Sequence, residues 1–577
     1  MRDRSPQRLL SLFLAVAGGA FLWAAFPDVG WWPGAFVAVA LLWWALREDH
    51  AWWNTLYGFA FGITFFLPHV RWAINATEVA PWIAMSVIEA LFLALFGALW
   101  TWARRAVRAG LRGRDGTLIA GAAQAAAFAV VFTAVEQWRS EIPFGGFPWG
   151  RLAWAMVDAP LGRAAWLGGT VLVTLAVCLT GLWLAAAVHA IAARPRAVAA
   201  HGRAAGMVVA AAAIVVAPAT LPLPASSDAG ATGDGATLHD AGTDLAEDGV
   251  LRAGAVQGNV DDPDLGVFAA RPELFGNHLA GTYELAEELA GQLDIVLWPE
   301  DSTGVDPRTS AQAAAALDAA ATAVGAPVLV GTQEYPADGG RYNLSLLWQA
   351  GQGATERYAK QHPAPFGEYI PLRPLVRLLS DQVDRVTTDM LPGDQPAVMD
   401  IPAAGGDTRI ATIICFEVAY DEIVRDAVRH GAQVLVVPTN NAAFGWTEEA
   451  TQQLAMTRMQ AITTGRAAVQ VSTVGVSGIV TPDGTLVASA ELFTHDTLAA
   501  TLPLRHTITP AVAAGYWPGW IAGIAAVLLA AAGVTARIVT RVTERRVART
   551  APAAGGPAGR ARPSATDAAT DRDALVR

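Results

Sequence analysis

Eight long apolar stretches constrain this chain more than any other feature, because about 18 to 20 consecutive apolar residues suffice for a helix to cross a bilayer. Seven of them, at 9–26, 32–46, 51–70, 80–102, 118–135, 165–193 and 204–221, precede one large mixed-polarity region. The eighth, at 517–539, follows it. The 577 residues are 53% hydrophobic and only 16% charged, too apolar for a water-soluble protein, yet the mixed region is too polar to lie in lipid. The expectation is a polytopic helical membrane bundle of about eight spans carrying one water-exposed domain. No small-residue cleavage site follows the first stretch, so it reads as a retained span rather than a leader peptide.

Basic residues set the expected orientation. Arg2, Arg4 and Arg8 precede the first span, and Arg47 separates the second from the third. Arg104, Arg105, Arg108, Arg112 and Arg114 follow the fourth, and Arg194, Arg196 and Arg203 follow the sixth. Arg537, Arg541, Arg545, Arg546 and Arg549 follow the last. With seven spans and then one, all of them fall on a single side, which the positive-inside rule makes cytoplasmic. Both termini are then cytoplasmic and the domain extracytoplasmic, in a multi-pass protein of the cell membrane. Many of the 21 tryptophans lie near span ends, as an interfacial aromatic belt requires. The net charge of −11 argues against nucleic acid as a partner.

The segmentation is 1–225 for the membrane domain with its seven helices, 226–249 for a flexible linker rich in Ala, Gly, Asp, Ser and Thr, and 250–504 for the domain. A C-terminal span (505–540) and a basic, disordered tail (541–577) complete it. Within 250–504, short apolar β-branched runs at 251–256, 294–298, 327–331, 343–348, 409–414, 433–438, 468–473 and 475–481 predict strands. Helical patterns at 272–292, 310–324, 420–430 and 448–466 lie between them, so the domain is α/β with sheets covered on their faces.

Two cysteines are present. Cys178 lies within an apolar run and reads as a small core residue; a disulfide from there to Cys415 would have to join the bilayer interior to the domain. Cys415 is therefore a free thiol at the end of an apolar strand. Glu300 follows another strand in Trp298-Pro299-Glu300, and Lys360 ends Tyr358-Ala359-Lys360 before the irregular stretch 361–368. Residues at strand carboxyl ends converge on one edge of an α/β sheet. A thiol, a carboxylate and an ammonium brought together there can open a carbonyl through a thioacyl intermediate. Each has a plainer reading: a surface turn acid, a solvated lysine, a buried core thiol. Their joint occurrence at strand ends favours chemistry. The ten histidines lack ligand spacing, and no Gly-rich loop carries a Walker lysine, so neither a metal nor a nucleotide cofactor is expected.

Over 250–504 this order of residues resembles the carbon–nitrogen hydrolase (nitrilase) superfamily. With its membrane frame, the chain is similar to the apolipoprotein N-acyltransferases. Ala255-Val256-Gln257-Gly258-Asn259, Phe366-Gly367-Glu368-Tyr369-Ile370-Pro371, Pro438-Thr439-Asn440-Asn441 and Gly146-Phe147-Pro148-Trp149 carry the likeness further. The resemblance implies an αββα sandwich in which Glu300 is the general base, Lys360 the oxyanion-stabilising cation and Cys415 the nucleophile, with Glu368 and Glu417 as supporting acids. It implies a phospholipid acyl donor and, as acceptor, the amine of an S-diacylglyceryl cysteine at an apolipoprotein N-terminus, with the enzyme a monomer. Residues 261–275, where such proteins carry a partly aromatic mobile segment, hold no tryptophan and do not align. The Phe147-Pro148-Trp149 loop is either an interfacial anchor or part of a lipid entry. The rival reading within enzymes is a membrane-tethered nitrilase-type amidase. A silent scaffold or transporter is the rival outside them, disfavoured by the intact Glu300, Lys360 and Cys415 and by the scarcity of ionisable residues inside the spans, to which Glu89 is the clearest exception.

Overall fold

The computed structural model describes residues 5–113, 117–226, 238–260, 273–378, 381–403 and 405–550. The helices α1 (Ser5–Trp23), α2 (Pro33–Ala45), α3 (Ala51–His69), α4 (Ala73–Thr77), α5 (Val79–Gly110), α6 (Leu118–Arg139), α7 (Ala165–Ala193) and α8 (Val198–Val216) precede the domain. All seven predicted apolar stretches ahead of the domain are helical, and the short α4 is extra. Among the described residues six helices are long and apolar enough to cross a membrane, the last of them on the far side of the domain. The other two apolar helices are α2, only 13 residues long, and α3. Helix α5, the fourth predicted span, outruns its predicted end, so Arg104, Arg105 and Arg108 occupy its last turns rather than a loop. Arginine is a good helix former and is favoured at a helix C-terminus. There Arg104 donates to the carbonyls of Leu46 and Glu48, tying the α2–α3 turn to the end of α5. α3 and α5 approach so closely that a Cβ on Gly58 would sit 2.1 Å from the Leu93 carbonyl oxygen, a small-residue interface that lets van der Waals contact join helices in lipid.

The domain holds two sheets. Strands β1 (Leu238–Asp240), β2 (Val250–Gln257), β3 (Ile295–Leu297), β4 (Val328–Glu334), β5 (Tyr342–Gln349), β6 (Gly353–Ala359), β7 (Val398–Ala403), β8 (Gly406–Thr412), β9 (Val434–Thr439), β10 (Ala468–Ser472), β11 (Gly478–Val480), β12 (Leu486–Ser489) and β13 (Asp496–Pro503) alternate with α9 (Glu273–Leu289), α10 (Ala311–Val324), α11 (Arg373–Val376), α12 (Asp421–Arg429) and α13 (Glu449–Thr464). One sheet runs β1-β13-β2-β3-β4-β5-β6 and the other β12-β11-β10-β9-β8-β7. They face each other, with Thr412 of β8 hydrogen-bonded to Ser345 of β5 at 3.1 Å across the gap. Helices α9 and α10 cover the outer face of the first sheet and α12 and α13 that of the second, giving four layers. After α14 (Pro510–Ala514), α15 (Trp517–Thr550) returns through the bundle.

The domain rests on the bundle through α13, which packs on α7 and is buried on nearly every side. Arg151 bonds Asp421 at 3.0 Å, Thr170 bonds the same carboxylate, and Trp149 donates to Gln452 at 2.6 Å.

Two expected boundaries are corrected. Of the linker 226–249, residues 227–237 lie outside the described residues, but 238–240 form β1 beside β13, and Asp240 accepts from the Gly242 and Thr243 amides in a tight turn. A three-residue edge strand of polar composition carries no periodic signal, so pairing alone defines it. The tail 541–577 begins as helix, since α15 runs to Thr550; the remainder, with Arg2, Arg4, Arg114 and residues 261–272 of the expected mobile segment, lies outside the described residues.

Candidate active site

Three strand exits and one turn bring the five predicted site residues into one buried cluster. β3 ends at Leu297, and the chain turns through Trp298-Pro299 to Glu300. Glu300 Oε1 accepts from Asn343 Nδ2 at 2.6 Å and from Lys360 Nζ at 3.1 Å, while Oε2 accepts from the Asn440 amide at 3.1 Å. Oε2 therefore keeps acceptor capacity for one more proton. Lys360 leaves β6 with its amide bonded to the Asn343 carbonyl, and Nζ also bonds Glu368 Oε1 at 2.6 Å. Two of its three N–H bonds thus hold carboxylates. Burial alone would lower the Lys360 pKa, but Glu300, Glu368 and the nearby thiol outweigh it and keep the ammonium charged well above its ordinary range.

Cys415 opens a short 3-10 turn, Cys415–Ala419, just past the end of β8 at Thr412, with φ +54°. A non-glycine residue in the left-handed region is sparsely populated, and held conformations of this kind gather at functional turns between a strand and a helix. Its thiol is buried, and burial together with the Glu300 charge pushes its pKa well up, opposed by Lys360 and by hydrogen bonding with the Thr439 side chain. A thiol so placed is neutral at rest and reacts only when a base removes its proton.

Glu417 lies two residues on, within the same turn. Its carboxyl accepts from the Ile414, Gln361 and His362 amides and from the Tyr358 hydroxyl, so it pins the Cys415 turn to the segment that carries Lys360. Burial raises its pKa to about 7 against the pull of Lys360 and those amides. Glu368 accepts from the Ala364 amide at 2.6 Å as well as from Lys360, bending 361–368 over the lysine.

Beside the thiol stands an apolar wall that the sequence left undefined. Phe416 packs against Trp149 with centroids 4.7 Å apart, against Trp72 at 5.7 Å and against Phe444 at 5.8 Å. Trp149 is thus a buried wall of the site rather than an exposed interfacial anchor. Glu89 is buried in the bundle and paired with Arg139 at 3.0 Å, a structural ion pair that holds the Phe147 and Trp149 carbonyls through the same guanidinium. Sequence reasoning missed Asn343 and Tyr358, whose partners lie past distant strands, and Glu449, whose partner is in the preceding turn; the Asn440-Asn441 pair was visible as a motif but not as donors to Glu300 and Glu449.

Comparison with known proteins adds independent findings. The family model described as apolipoprotein N-acyltransferase N-terminal domain matches residues 18–183, and that described as carbon-nitrogen hydrolase matches 252–509. The chain is 34% identical to the apolipoprotein N-acyltransferase of Mycolicibacterium smegmatis over 94% of its own length and 89% of that protein. It is 29% identical to the apolipoprotein N-acyltransferase of Azotobacter vinelandii over 89% of its length and 93% of that protein. Among solved structures, an amidase from Nesterenkonia sp. covers 45% of this chain and 94% of its own at 18% identity and a TM-score of 0.34.

Proposed function

The chain belongs to the apolipoprotein N-acyltransferase family, and from that membership we propose that it moves an acyl chain from a phospholipid to the N-terminal amine of an S-diacylglyceryl cysteine through a thioester on Cys415. The observation that carries this reading is the meeting of Glu300, Lys360 and a buried neutral thiol beside the aromatic wall of Phe416, Trp149, Trp72 and Phe444. The wall is suited to an acyl chain arriving from the bundle side.

In the first half-reaction Glu300 takes the thiol proton as Cys415 Sγ bonds to the ester carbonyl carbon. The third N–H of Lys360 is directed to the oxyanion, where a preformed charge in a water-poor site is most effective. As the intermediate collapses the ester C–O bond breaks, and Glu300 returns the proton to the departing lysophospholipid oxygen. In the second half the acceptor amine adds to the thioester carbonyl, Glu300 accepts its proton, and the C–S bond breaks as Glu300 passes that proton to the departing sulfur, giving the amide and restoring the thiol. The amidase alternative is disfavoured by the family and by the apolar wall, which shields a thioester from water.

Wild-type enzyme given phospholipid alone is expected to stall as an acyl-enzyme, releasing about one lysophospholipid per site, as a ping-pong mechanism requires. A diacylglyceryl-cysteinyl peptide with a free amine then discharges it to the N-acyl product, and an N-acetylated peptide does not. Steady release of free fatty acid without amine, followed by chromatography of the lipids, would instead identify a hydrolase.

A further inference from the structure

Glu449, at the start of α13, is fully buried behind Cys415 and plays no part in the chemistry above. Its Oε2 accepts from Asn441 Nδ2 at 2.5 Å, and Asn441 donates also to Gln453 Oε1 at 2.8 Å. The Thr439 hydroxyl donates to that same Gln453 oxygen at 3.0 Å and lies in hydrogen-bond contact with the Cys415 side chain. Asn441 Oδ1 is fixed in turn by Ser472 at 2.7 Å. An unbroken buried chain thus runs from Glu449 to the reacting sulfur.

The other oxygen, Oε1, is buried without a partner among the described residues. A buried carboxylate with one neutral donor and no cation is strongly disfavoured against its protonated form. The charged and titratable groups around it offer no relief. Glu300 and Cys415 add negative charge or none; Glu417, on the adjoining turn, is turned to its own amide donors. Asp421 of α12 is held by Gln460, Arg151 and Thr170, and Arg163, on the turn before α7, faces Asp483. On its own helix, Arg458 is committed to Asp158 and the Gly484 carbonyl. Burial, with Glu300 acting in the same direction and Asn441 against, pushes the Glu449 carboxyl up to about 8.

We propose that Glu449 is a positioning residue that works as a neutral carboxylic acid, holding the Asn441–Gln453–Thr439 chain against Cys415, and that its ionisation shuts the site on the alkaline side. Ionised, it sets a second negative charge behind the thiol, which opposes thiolate formation and disturbs the Asn440-Asn441 turn that supports Glu300. This rests on the thioester reading. Lys360 does not supply the same alkaline limb, since its carboxylate partners keep it charged far above that range.

The test is the rate of acyl-Cys415 formation from phospholipid, followed by intact mass between pH 6 and pH 10 in wild type, Glu449→Gln and Glu449→Met. The wild-type rate is expected to fall roughly tenfold from pH 7 to pH 9, as for loss of one group titrating near 8. In the Gln and Met variants, each normalised to its own value at pH 7, the fall is abolished. A merely structural role lowers the rate equally at every pH, and parallel profiles in wild type and variants overturn the proposal. If neither variant inserts, a wild-type profile without a fall below pH 9 overturns it as well. Absence of acyl-Cys415 in wild type at every pH would sink the thioester reading itself, a result distinct from all of these.

Discussion

Cys415 and Lys360 are each held by groups that leave one interaction open, and that sets what substitutions do. Serine at 415 fits the same turn, but its hydroxyl is far less acidic than a thiol under the same Glu300. Cys415→Ser is therefore expected to insert and melt as wild type while acyl transfer falls about a thousandfold or more, the scale of losing a nucleophile from a unit of coupled groups. Near-normal lysophospholipid release by that variant would rule out the thioester. Lys360→Arg keeps the charge but replaces a compact ammonium between Glu300 and Glu368 with a planar fork, so it should not restore activity lost in Lys360→Ala. The places of Glu300, Lys360 and Cys415 were legible because each sits just past a strand, and their clustering follows from the order of strands; Glu417 and Glu368, the latter in a turn beyond β6, were legible only through the family resemblance. Tyr358, Asn343 and Glu449 were not legible. Asn343 looks like an ordinary strand residue and Tyr358 lies on a strand without a sequence signal until β6 and β5 are paired, and Glu449 looks like a solvated acid at a helix start until α13 is found buried on nearly every side.

At the scale of elements, the site depends on how tightly β4 passes the turn that leaves β3. A Cβ at Gly331 would lie 2.4 Å from the Pro299 carbonyl oxygen and 2.5 Å from the Asp301 amide, both backbone atoms flanking Glu300. Ser302 and Thr303 also bond the Gly331 backbone, so the turn has no slack. Gly331→Ala is expected to displace Glu300 and slow acyl-enzyme formation by about a hundredfold, the usual effect of an ångström-scale misplacement. Overpacking of this kind also costs about 1–3 kcal/mol, which thermal unfolding reads. An unchanged rate would mean that the Glu300 turn yields freely. The interior strands were readable because burial on both faces leaves continuous apolar runs, as in β3 and in residues 434–437 of β9. β6 was missed because it is an edge strand whose Thr355, Glu356 and Arg357 are exposed, and β7 because it is an edge strand that alternates and contains Pro402. β13 lies inside its sheet, yet its Ala and Thr residues lack the β-branched aliphatic signal; its pairing with β2 along eight residues supplies what propensity does not.

At the scale of the whole molecule, orientation follows from which helix ends share a face of the bundle. α2 has 13 residues, about 20 Å at 1.5 Å per residue against a hydrocarbon core of about 30 Å, so length alone leaves its crossing open. The contacts at its end decide how it runs. Arg8 near the start of α1 pairs with Glu48 after α2 at 3.6 Å, and Arg104 near the end of α5 reaches Leu46 and Glu48. Arg112, after α5, meets Thr540 near the end of α15. The start of α1, the end of α2, the start of α3, the end of α5 and the end of α15 therefore lie together, and α1 and α2 form a hairpin through the bundle. That end collects Arg8, Arg47, Arg104, Arg105, Arg108, Arg537 and Arg541, the asymmetry from which a cytoplasmic face is expected. The catalytic domain, joined at α8 and α14, belongs to the opposite end. A periplasm-active reporter fused after Gly249 is accordingly expected to be active, and the same reporter after Arg549 inactive, with a cytoplasm-active reporter giving the reverse pattern. A cytoplasmic signal at Gly249 would place Cys415 on the inner face and overturn the expected extracytoplasmic placement of the domain, because a thiol on a domain pinned to the bundle by Arg151–Asp421 and Trp149–Gln452 cannot change sides during turnover.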